Sequence, residues 1–391
     1  MTTIITMELN ESLVVYIATT YYNMKPLLVS VRKMYGYSDS NYAFTDSNDN
    51  QCYFLKIVNP DESHENLVEL IDEAIDGVQT HLNDNKANLI VTVPKLIRTS
   101  ADKSSGYVSI KQPDGRSIWQ SFKLFELYDG ITVYDFLRGH QGMEMKCRLM
   151  FYKTLGMACR QIFEPLSNLC HLRGRLQDLR AKLSFPWNIM TCNEHIKSVI
   201  QENVAIIPDD QNSKLYRNLI ETALEEFESI QQQLNSLPQY ILHGDLGTRN
   251  ILLARHGLAD FIACKQVNGG DICLIDFQDI QVGPQIVDFS TSLLYLIIEQ
   301  DDIPFENALK LITHWFFEGY QSTKGLHPLD SENLKYTPTL MKIRLCQSLL
   351  NGLIAIKLNP DNQDVLQTNQ KGWQLLTILS SADDKWLPGT Y

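Results

Sequence analysis

Between Tyr240 and Phe289 two short apolar runs each lead into a carboxylate, and that repetition constrains this chain more than any other feature. The first run, Ile241-Leu242, leads into His243-Gly244-Asp245, with Asn250 five positions after the aspartate. The second, Cys273-Leu274-Ile275, leads into Asp276-Phe277-Gln278-Asp279, and Asp288 follows Gly283-Pro284. Short apolar runs bounded by polar turns read as strands, so two strand ends each present an acid and an amide sits on the loop between them. Gly244 lets the backbone turn sharply ahead of Asp245. Mg²⁺-assisted phosphoryl transfer asks for this set. One carboxylate aligns the attacking hydroxyl and takes its proton late, while an amide oxygen and a second carboxylate hold a metal that otherwise keeps phosphate oxygens and water. His243 reads as hydrogen-bonded scaffold and Asp288 as a tie between the loop and the next helix. Asp279 reads either as a further metal or substrate contact or as a helix cap.

A length of 391 residues suggests two domains, and 44% hydrophobic content is ample for two cores. Lys+Arg 34 against Asp+Glu 46 leaves a net charge of −12. Such a surface repels nucleic acid and anionic membranes and suits cationic partners, and no basic block or zinc-ligand spacing runs against that. The eight cysteines (52, 147, 159, 170, 192, 264, 273 and 346) form no C-x-x-C pair, which is the pattern of reduced thiols in a cytoplasmic protein. Leu13 to Ala18 follows Glu8 and Glu11 rather than a basic stretch, making a poor signal peptide, and the apolar run near Leu293 to Ile298 is far too short to span a bilayer. The expectation is a cytoplasmic protein with no nucleic-acid or membrane partner. Nothing in the sequence specifies an oligomeric state.

Along the chain, Asn10 caps a short helix with Leu13, Val14 and Ile17 on one face. Alternation follows: Leu27, Val29 and Val31, and then Tyr53 with Leu55, read as strands bracketing a turn at Gly36 to Asn41. Lys56 lies in the apolar strand Tyr53 to Val58. It either faces water from a sheet edge or, from its place upstream of Asp245, serves as a kinase's phosphate-binding lysine. Glu65 to Leu82 reads as a helix with Leu67, Leu70, Ile71, Ala74 and Val78 on one side, and its Glu69 or Glu73 could pair with Lys56. Val91 to Pro94 and Gly106 to Ile110 are further strands, and Pro113-Asp114-Gly115 turns the second into the strand Ser121 to Leu127. Asp129-Gly130 ends the sheet and divides the chain into 1–129 and 130–391. Phe125, Glu126 and Leu127 form a hinge whose backbone could bond a nucleotide base.

Helical periodicity dominates beyond that point, at Met145 to Ile162, Leu215 to Leu234, Ile286 to Gln300, Pro304 to Tyr320, Thr337 to Leu358 and Asn362 to Leu379. Phe185-Pro186-Trp187-Asn188 interrupts as a turn whose Trp187 either packs one helix on the next or lines a pocket. Leu253 to Asp271 reads either as an ordered hairpin or as a loop, with a turn at Asn268-Gly269-Gly270.

His243-Gly244-Asp245-x4-Asn250 with Ile275-Asp276-Phe277 resembles the aminoglycoside phosphotransferase and choline kinase group of protein-kinase-like enzymes. The likeness to the hydroxylysine kinase family within it is closer. It extends through Phe54-Leu55-Lys56-Ile57, Phe185-Pro186-Trp187-Asn188, Leu246 with Ile251-Leu252, Cys346-Gln347-Ser348-Leu349, Asn359-Pro360 with Leu366, and Gly372-Trp373. The resemblance implies an α+β, bilobal fold, with a nucleotide-binding lobe 1–129 built on an antiparallel sheet and a mostly helical catalytic and acceptor-binding lobe 130–391. It implies transfer of the γ-phosphate of GTP, or of ATP, to the hydroxyl of 5-hydroxy-L-lysine with Mg²⁺. Asp245 becomes the catalytic base, Asn250 and Asp276 the metal ligands, Lys56 the α/β-phosphate contact and Glu69 its partner. The loop Gly36 to Asn41, with Ser38 and Asn41, stands where phosphates are covered, although it has one glycine rather than G-x-G-x-x-G. Phe125 and Leu127 stand at the base. A zwitterionic acceptor with an extra ammonium needs a basic anchor together with acidic or aromatic ones, for which Trp187, Arg249, Asp279 and Arg344 are the candidates. A choline, ethanolamine or other amino-alcohol kinase is the rival within this class, and a non-catalytic pseudokinase binding module the rival outside it. The joint presence of Lys56, Asp245, Asn250 and Asp276 speaks against the pseudokinase.

Overall fold

The computed structural model describes residues 6–7, 9–34, 39–85, 89–111, 114–183, 185–202, 207, 212–263, 265, 267–323, 325, 327–358, 363–381 and 384–388. The chain divides into two compact units, residues 1–85 with 92–129, and residues 86–91 with 130–391.

The first unit contains β1 (Thr6–Met7), α1 (Glu11–Tyr22), β2 (Arg32–Met34), β3 (Ser40–Thr45), β4 (Cys52–Ile57) and α2 (Glu65–Asp84). After β5 (Val91–Thr92), at the boundary between units, come β6 (Leu96–Ile97), β7 (Gly106–Lys111) and β8 (Ser117–Glu126). The sheet order is β1-β7-β8-β4-β3-β2 with β6 also on β8. All pairings are antiparallel except that of β1 with β7. Helix α1 starts where the Asn10 side chain accepts from the Ser12 and Leu13 N–H groups, and Leu13, Val14, Ile17, Ala18 and Tyr22 form its buried face. That face packs on Tyr42, Phe44, Tyr53, Leu55, Ile57, Phe122 and Leu124 of the sheet. Because side chains alternate along a strand, Lys56 of β4 and Lys123 of β8 project from the opposite face. They stand directly across from each other in the register.

Leu27 to Val31 does not form the expected strand. The Ser30 hydroxyl donates to the Leu27 carbonyl and accepts from the Thr45 N–H, which closes a 3₁₀ turn over Leu28–Ser30 and leaves Val29 exposed. Ser40 and Asn41, expected in a turn, instead begin β3.

The second unit comprises β9 (Gly130–Thr132), α3 (Val133–Gly139), α4 (Met145–Ser167), α5 (Arg173–Lys182), α6 (Cys192–Glu202), α7 (Ser213–Ser236), β10 (Gln239–Leu242), β11 (Ile251–Ala254) and α8 (Leu258–Ile262). It continues with β12 (Ile272–Leu274), β13 (Gln281–Pro284), α9 (Ile286–Ile298), α10 (Phe305–Ser322), α11 (Thr337–Leu358) and α12 (Gln363–Ser381). Helix α9 is buried at all but one of its positions, as expected of a central helix that is apolar all round. Helices α4 and α10 approach closely at two glycines. A Cβ on Gly156 would strike the Phe316 carbonyl, and one on Gly319 the Lys153 carbonyl.

Two small sheets position the site. Strand β10 pairs antiparallel with β13, Leu242 facing Gln281. Strand β11 pairs antiparallel with β12, Ile251 facing Leu274, and with β9 on its other side. The connection from β11 to its antiparallel partner β12 begins with a 3₁₀ turn at Arg255–Gly257 followed by α8. Helix α5 carries no strong periodic signal. In α5 only Leu176 and Arg180 are buried, so most of its residues are there for solvent.

Among the described residues, no helix is long and apolar enough to cross a membrane. Cys52, Cys159, Cys170, Cys192, Cys273 and Cys346 are free thiols. Cys147 is disulfide-bonded, which corrects the all-reduced expectation: sequence spacing does not show which sulfurs meet in space.

Candidate active site

Asp245 sits on the loop leaving β10, and two devices hold that loop. Gly244 has φ +84°, and a Cβ there would run into the Asp279 backbone carbonyl, so the turn accepts only glycine. From the first turn of α9, Asp288 accepts the His243 N–H at 2.8 Å and the Gly244 N–H at 2.9 Å. Burial pushes the Asp288 carboxyl above the usual aspartate range, while the His243 ring and these two N–H donors oppose the shift. The tie expected of Asp288 is therefore a buried bidentate one. The His243 ring lies 3.0 Å (Nε2) from the Ile275 carbonyl and takes the Asp245 N–H on Nδ1 at 3.4 Å, which fits the tautomer protonated on Nε2. This histidine is scaffold, joining the two strand ends.

Both oxygens of the Asp245 carboxylate are engaged. Oδ2 accepts from Asn250 Nδ2 at 2.8 Å and Oδ1 from Arg344 Nη2 at 2.8 Å. Asn250 Nδ2 also donates to the Asp245 carbonyl, so both of these bonds use the amide nitrogen and neither uses Oδ1. Across the β11–β12 ladder, the Ile275 N–H donates to the Asn250 carbonyl at 3.0 Å. Asp276 is therefore next to Asn250 at the end of the neighbouring strand. Asp276 is exposed and adopts φ 66°, ψ 68°, a left-handed conformation that costs a non-glycine residue of order 1 kcal/mol and clusters at functional sites.

Arg344, from the middle of α11, is only 2% exposed. Besides Asp245 it donates to the Tyr295 hydroxyl at 3.2 Å and to Gln347 Oε1 at 3.0 Å. Its guanidinium lies 4.8 Å from the centre of the Trp187 ring and 5.8 Å from that of Tyr295. Burial works against its charge, yet Tyr295, Asp245 and Asp279 hold its pKa above the usual arginine range. Trp187 and Asp279 are half-buried, and both act on Arg344, the residue that holds Asp245. Asp279 lies in the 3₁₀ turn Phe277–Asp279. That turn is clamped by the Arg180 guanidinium, which donates to the Gln278 and Ile280 carbonyls and stacks on Phe185. Arg249 is differently committed: it stacks 3.7 Å from the centre of the Tyr134 ring and interacts with Glu299.

In the first unit, Lys56 Nζ lies 2.7 Å from Asp39 Oδ2, both groups being buried. On α2, Glu69 occupies an exposed position, and the buried acid of that helix, Asp72, pairs with Lys123 at 2.5 Å. Asn41 stands opposite Lys56 in the β3–β4 register, and Ser38 lies outside the described residues. Phe125 pairs with Phe54 inside the sheet. The Leu127 N–H donates to the Cys52 carbonyl and the Glu126 N–H to the Lys95 carbonyl, so a base contact here has carbonyls rather than these N–H groups at its disposal.

Asp39, Tyr295, Gln347 and Arg180 escape the sequence reading. Tyr295 had a signal, as the single phenol in the aliphatic run Leu293 to Ile298. Asp72 had a better one, falling at i+4 from Val68 and i−3 from Ile75 on the apolar face.

The sequence pattern of the phosphotransferase enzyme family matches residues 35–326. Hydroxylysine kinase of Bos taurus is 23% identical over 354 residues, covering 88% of this chain and 83% of the relative. Among solved structures, the amicoumacin kinase hAmiN in complex with AMP-PNP, Ca²⁺ and Ami superposes with a TM-score of 0.62 at 16% identity, over 95% of this chain and 93% of that one. A microcompartment-associated aminopropanol kinase superposes with a TM-score of 0.54 at 15% identity, over 94% of this chain and 96% of the other. An antiparallel-sheet unit followed by a mostly helical one is thus the protein-kinase-like architecture, and the chain is a member of the phosphotransferase enzyme family.

Proposed function

We propose that this phosphotransferase moves the γ-phosphate of GTP, or of ATP, to the hydroxyl of 5-hydroxy-L-lysine. The observation that carries the reading is the doubly held Asp245 carboxylate, with Asn250 and Asp276 on adjoining strand ends and Trp187 and Asp279 acting on the Arg344 that holds it. The acceptor oxygen attacks the γ-phosphorus, the bond from that phosphorus to the β–γ bridging oxygen breaks, and the hydroxyl proton passes to Asp245. A carboxylate fixed by Arg344 and Asn250 costs no reorientation when the hydroxyl arrives.

The donor set suits a metal delivered with the nucleotide. Among the described residues no cluster of three or more His, Cys, Asp or Glu could hold an ion by itself, whereas Mg²⁺ needs only one or two protein oxygens beside phosphate and water. Asn250 Oδ1 and the Asp276 carboxylate would hold it. When bound it neutralises charge on the phosphate oxygens. Lys56 would contact the α/β-phosphates.

Arg344 is buried and donates to Asp245, Tyr295, Gln347 and the Trp187 carbonyl, so in this proposal it supports the base instead of gripping the acceptor carboxylate. The aromatic faces of Trp187 and Tyr295, with Asp279, suit the acceptor's ammonium groups. The hydroxylysine kinases among the relatives favour that acceptor. The aminopropanol kinase among similar structures keeps a smaller amino alcohol, such as ethanolamine or choline, as the second reading.

The test is nucleoside-diphosphate release from Mg·GTP and Mg·ATP across 5-hydroxy-L-lysine, ethanolamine and choline. Hydroxylysine should give the highest kcat/KM, and Asp245→Asn should lower kcat by about 10²–10⁴-fold. Turnover with no acceptor above that of Asp245→Asn would sink the kinase reading, while faster turnover of ethanolamine or choline would sink only the acceptor.

A further inference from the structure

We propose that Arg180 is a positioning residue that couples the two ends of the site, holding the turn after Asp276 with the edge of its guanidinium and the turn that carries Trp187 with its face. The inference rests on the kinase reading above and adds to it the residue through which metal binding and acceptor recognition depend on each other.

The turn after Asp276 is weakly closed by its own bonds. Asp276 is left-handed at φ 66°, a backbone state that persists only where the surroundings over-determine it. The 3₁₀ turn Phe277–Asp279 that follows closes with 3.4 Å between the Ile280 nitrogen and the Phe277 oxygen, beyond the usual range for an N–H donor. The Gln278 amide nitrogen adds nothing, being buried with no hydrogen-bond partner among the described residues. Arg180 supplies an external hold: Nε donates to the Ile280 carbonyl at 3.0 Å and Nη2 to the Gln278 carbonyl. Gln278 and Ile280 are buried, so carbonyls deprived of these donors would not regain them from bulk water.

The same guanidinium reaches the second turn. Its carbon lies 3.7 Å from the centre of the buried Phe185 ring, close enough for a flat cation to stack. Phe185 begins the turn that carries Trp187, and the far side of that turn is tied to β13 and α11. There Gln281 Oε1 accepts the Ile189 N–H at 2.9 Å and Gln347 donates to the Pro186 carbonyl. Arg180 fixes the near side while gripping the metal-side turn. A planar fork donates along its edge and leaves its face to a ring, which an ammonium cannot reproduce. Arg180 is 3% exposed and with Leu176 makes up the buried part of α5. Displacing it therefore moves the supports of Asp276 and Trp187 together.

The experiment compares Arg180→Met, Arg180→Lys and Phe185→Leu with the unaltered protein. Calorimetric titration of GTP and of ATP, each with Mg²⁺ and with EDTA, gives the gain in nucleotide affinity that the metal supplies, and initial rates give the acceptor KM. Arg180→Met should lower the metal gain about tenfold and keep the metal-free affinity within about twofold, while the acceptor KM rises at least about threefold. Arg180→Lys keeps the charge without the fork and should lose part of both. Phe185→Leu removes only the stacked ring and should raise the acceptor KM with the metal gain unchanged within about twofold. If Arg180→Met does not fold, Arg180→Lys carries the comparison and must still lose in both readouts. Three results on altering Arg180 overturn the proposal: a drop in melting temperature alone, an equal fall in affinity with and without Mg²⁺, or a change in only one of the two readouts. If the unaltered protein shows a metal gain and turnover while Arg180→Met matches it, only this inference fails. If the unaltered protein shows neither, the kinase reading fails and takes the inference with it.

Discussion

At the scale of the residue, the loop that carries Asp245 depends on a position where chemistry is absent. Gly244 contributes no functional group, yet its φ of +84° and the Asp279 carbonyl against it set the direction in which Asp245 points. Gly244→Ala meets both penalties together, a left-handed backbone and a clash with main chain that cannot rotate away. It should cost more than about 1–2 kcal/mol of stability and most of the turnover, read as the urea midpoint and kcat. A Gly244→Ala protein with unchanged midpoint and kcat would show that the loop can relax. The same logic explains what could be read at Asp245, Asn250 and Asp276. The roles proposed for them follow from residue type and strand-end position, both visible in sequence. The partner of Lys56 follows from distance across a sheet, which is not.

At the scale of the element, the site rests on a stack of helices. Asp288 in α9 grips the loop through the His243 and Gly244 N–H groups, and α9 in turn leans on α10. Phe289 meets Phe316 and Tyr320 with ring centroids 5.4 and 5.3 Å apart, and Gln285 donates to the Tyr320 hydroxyl at 3.0 Å. Helix α10 can approach α4 because Gly319 has no Cβ to strike the Lys153 carbonyl. Alanine improves helix propensity by about 1 kcal/mol, but overpacking against main chain costs about 1–3 kcal/mol, so the clash wins. Gly319→Ala should lower the melting temperature; a rise would mean that α4 and α10 separate without loss. The long helices were legible because each keeps an apolar face over several turns. Helix α5 was not, since its purpose is to aim Arg180 at two carbonyls, and a helix with two buried residues has no period to read.

At the scale of the whole molecule, one buried acid couples pH to stability. Glu299 ends α9, 8% exposed, and burial raises its pKa to about 7 from 4.5, against the opposing pull of Lys371, Arg249 and Arg138. A carboxyl whose folded pKa is raised contributes stability that is present below pH 4.5 and lost as pH rises through about 7. The shift corresponds to about 3 kcal/mol. Glu299→Gln cannot ionise, so its stability relative to wild type should rise by about that amount between pH 4.5 and 8, measured by urea unfolding at both. A constant difference across that range would remove Glu299 as the source.

The sequence alone determined the reaction class, the long helices of the second unit and the three polar residues at two strand ends, because residue type and local periodicity are short-range information. Only the tertiary structure decided which charges meet. Asp39 comes to Lys56, Arg344 reaches Asp245 from 99 residues away, and Arg249 turns to Tyr134. These pairings depend on sheet register and helix rotation, where a shift of one residue moves a side chain to the opposite face of a strand or about 100° around a helix.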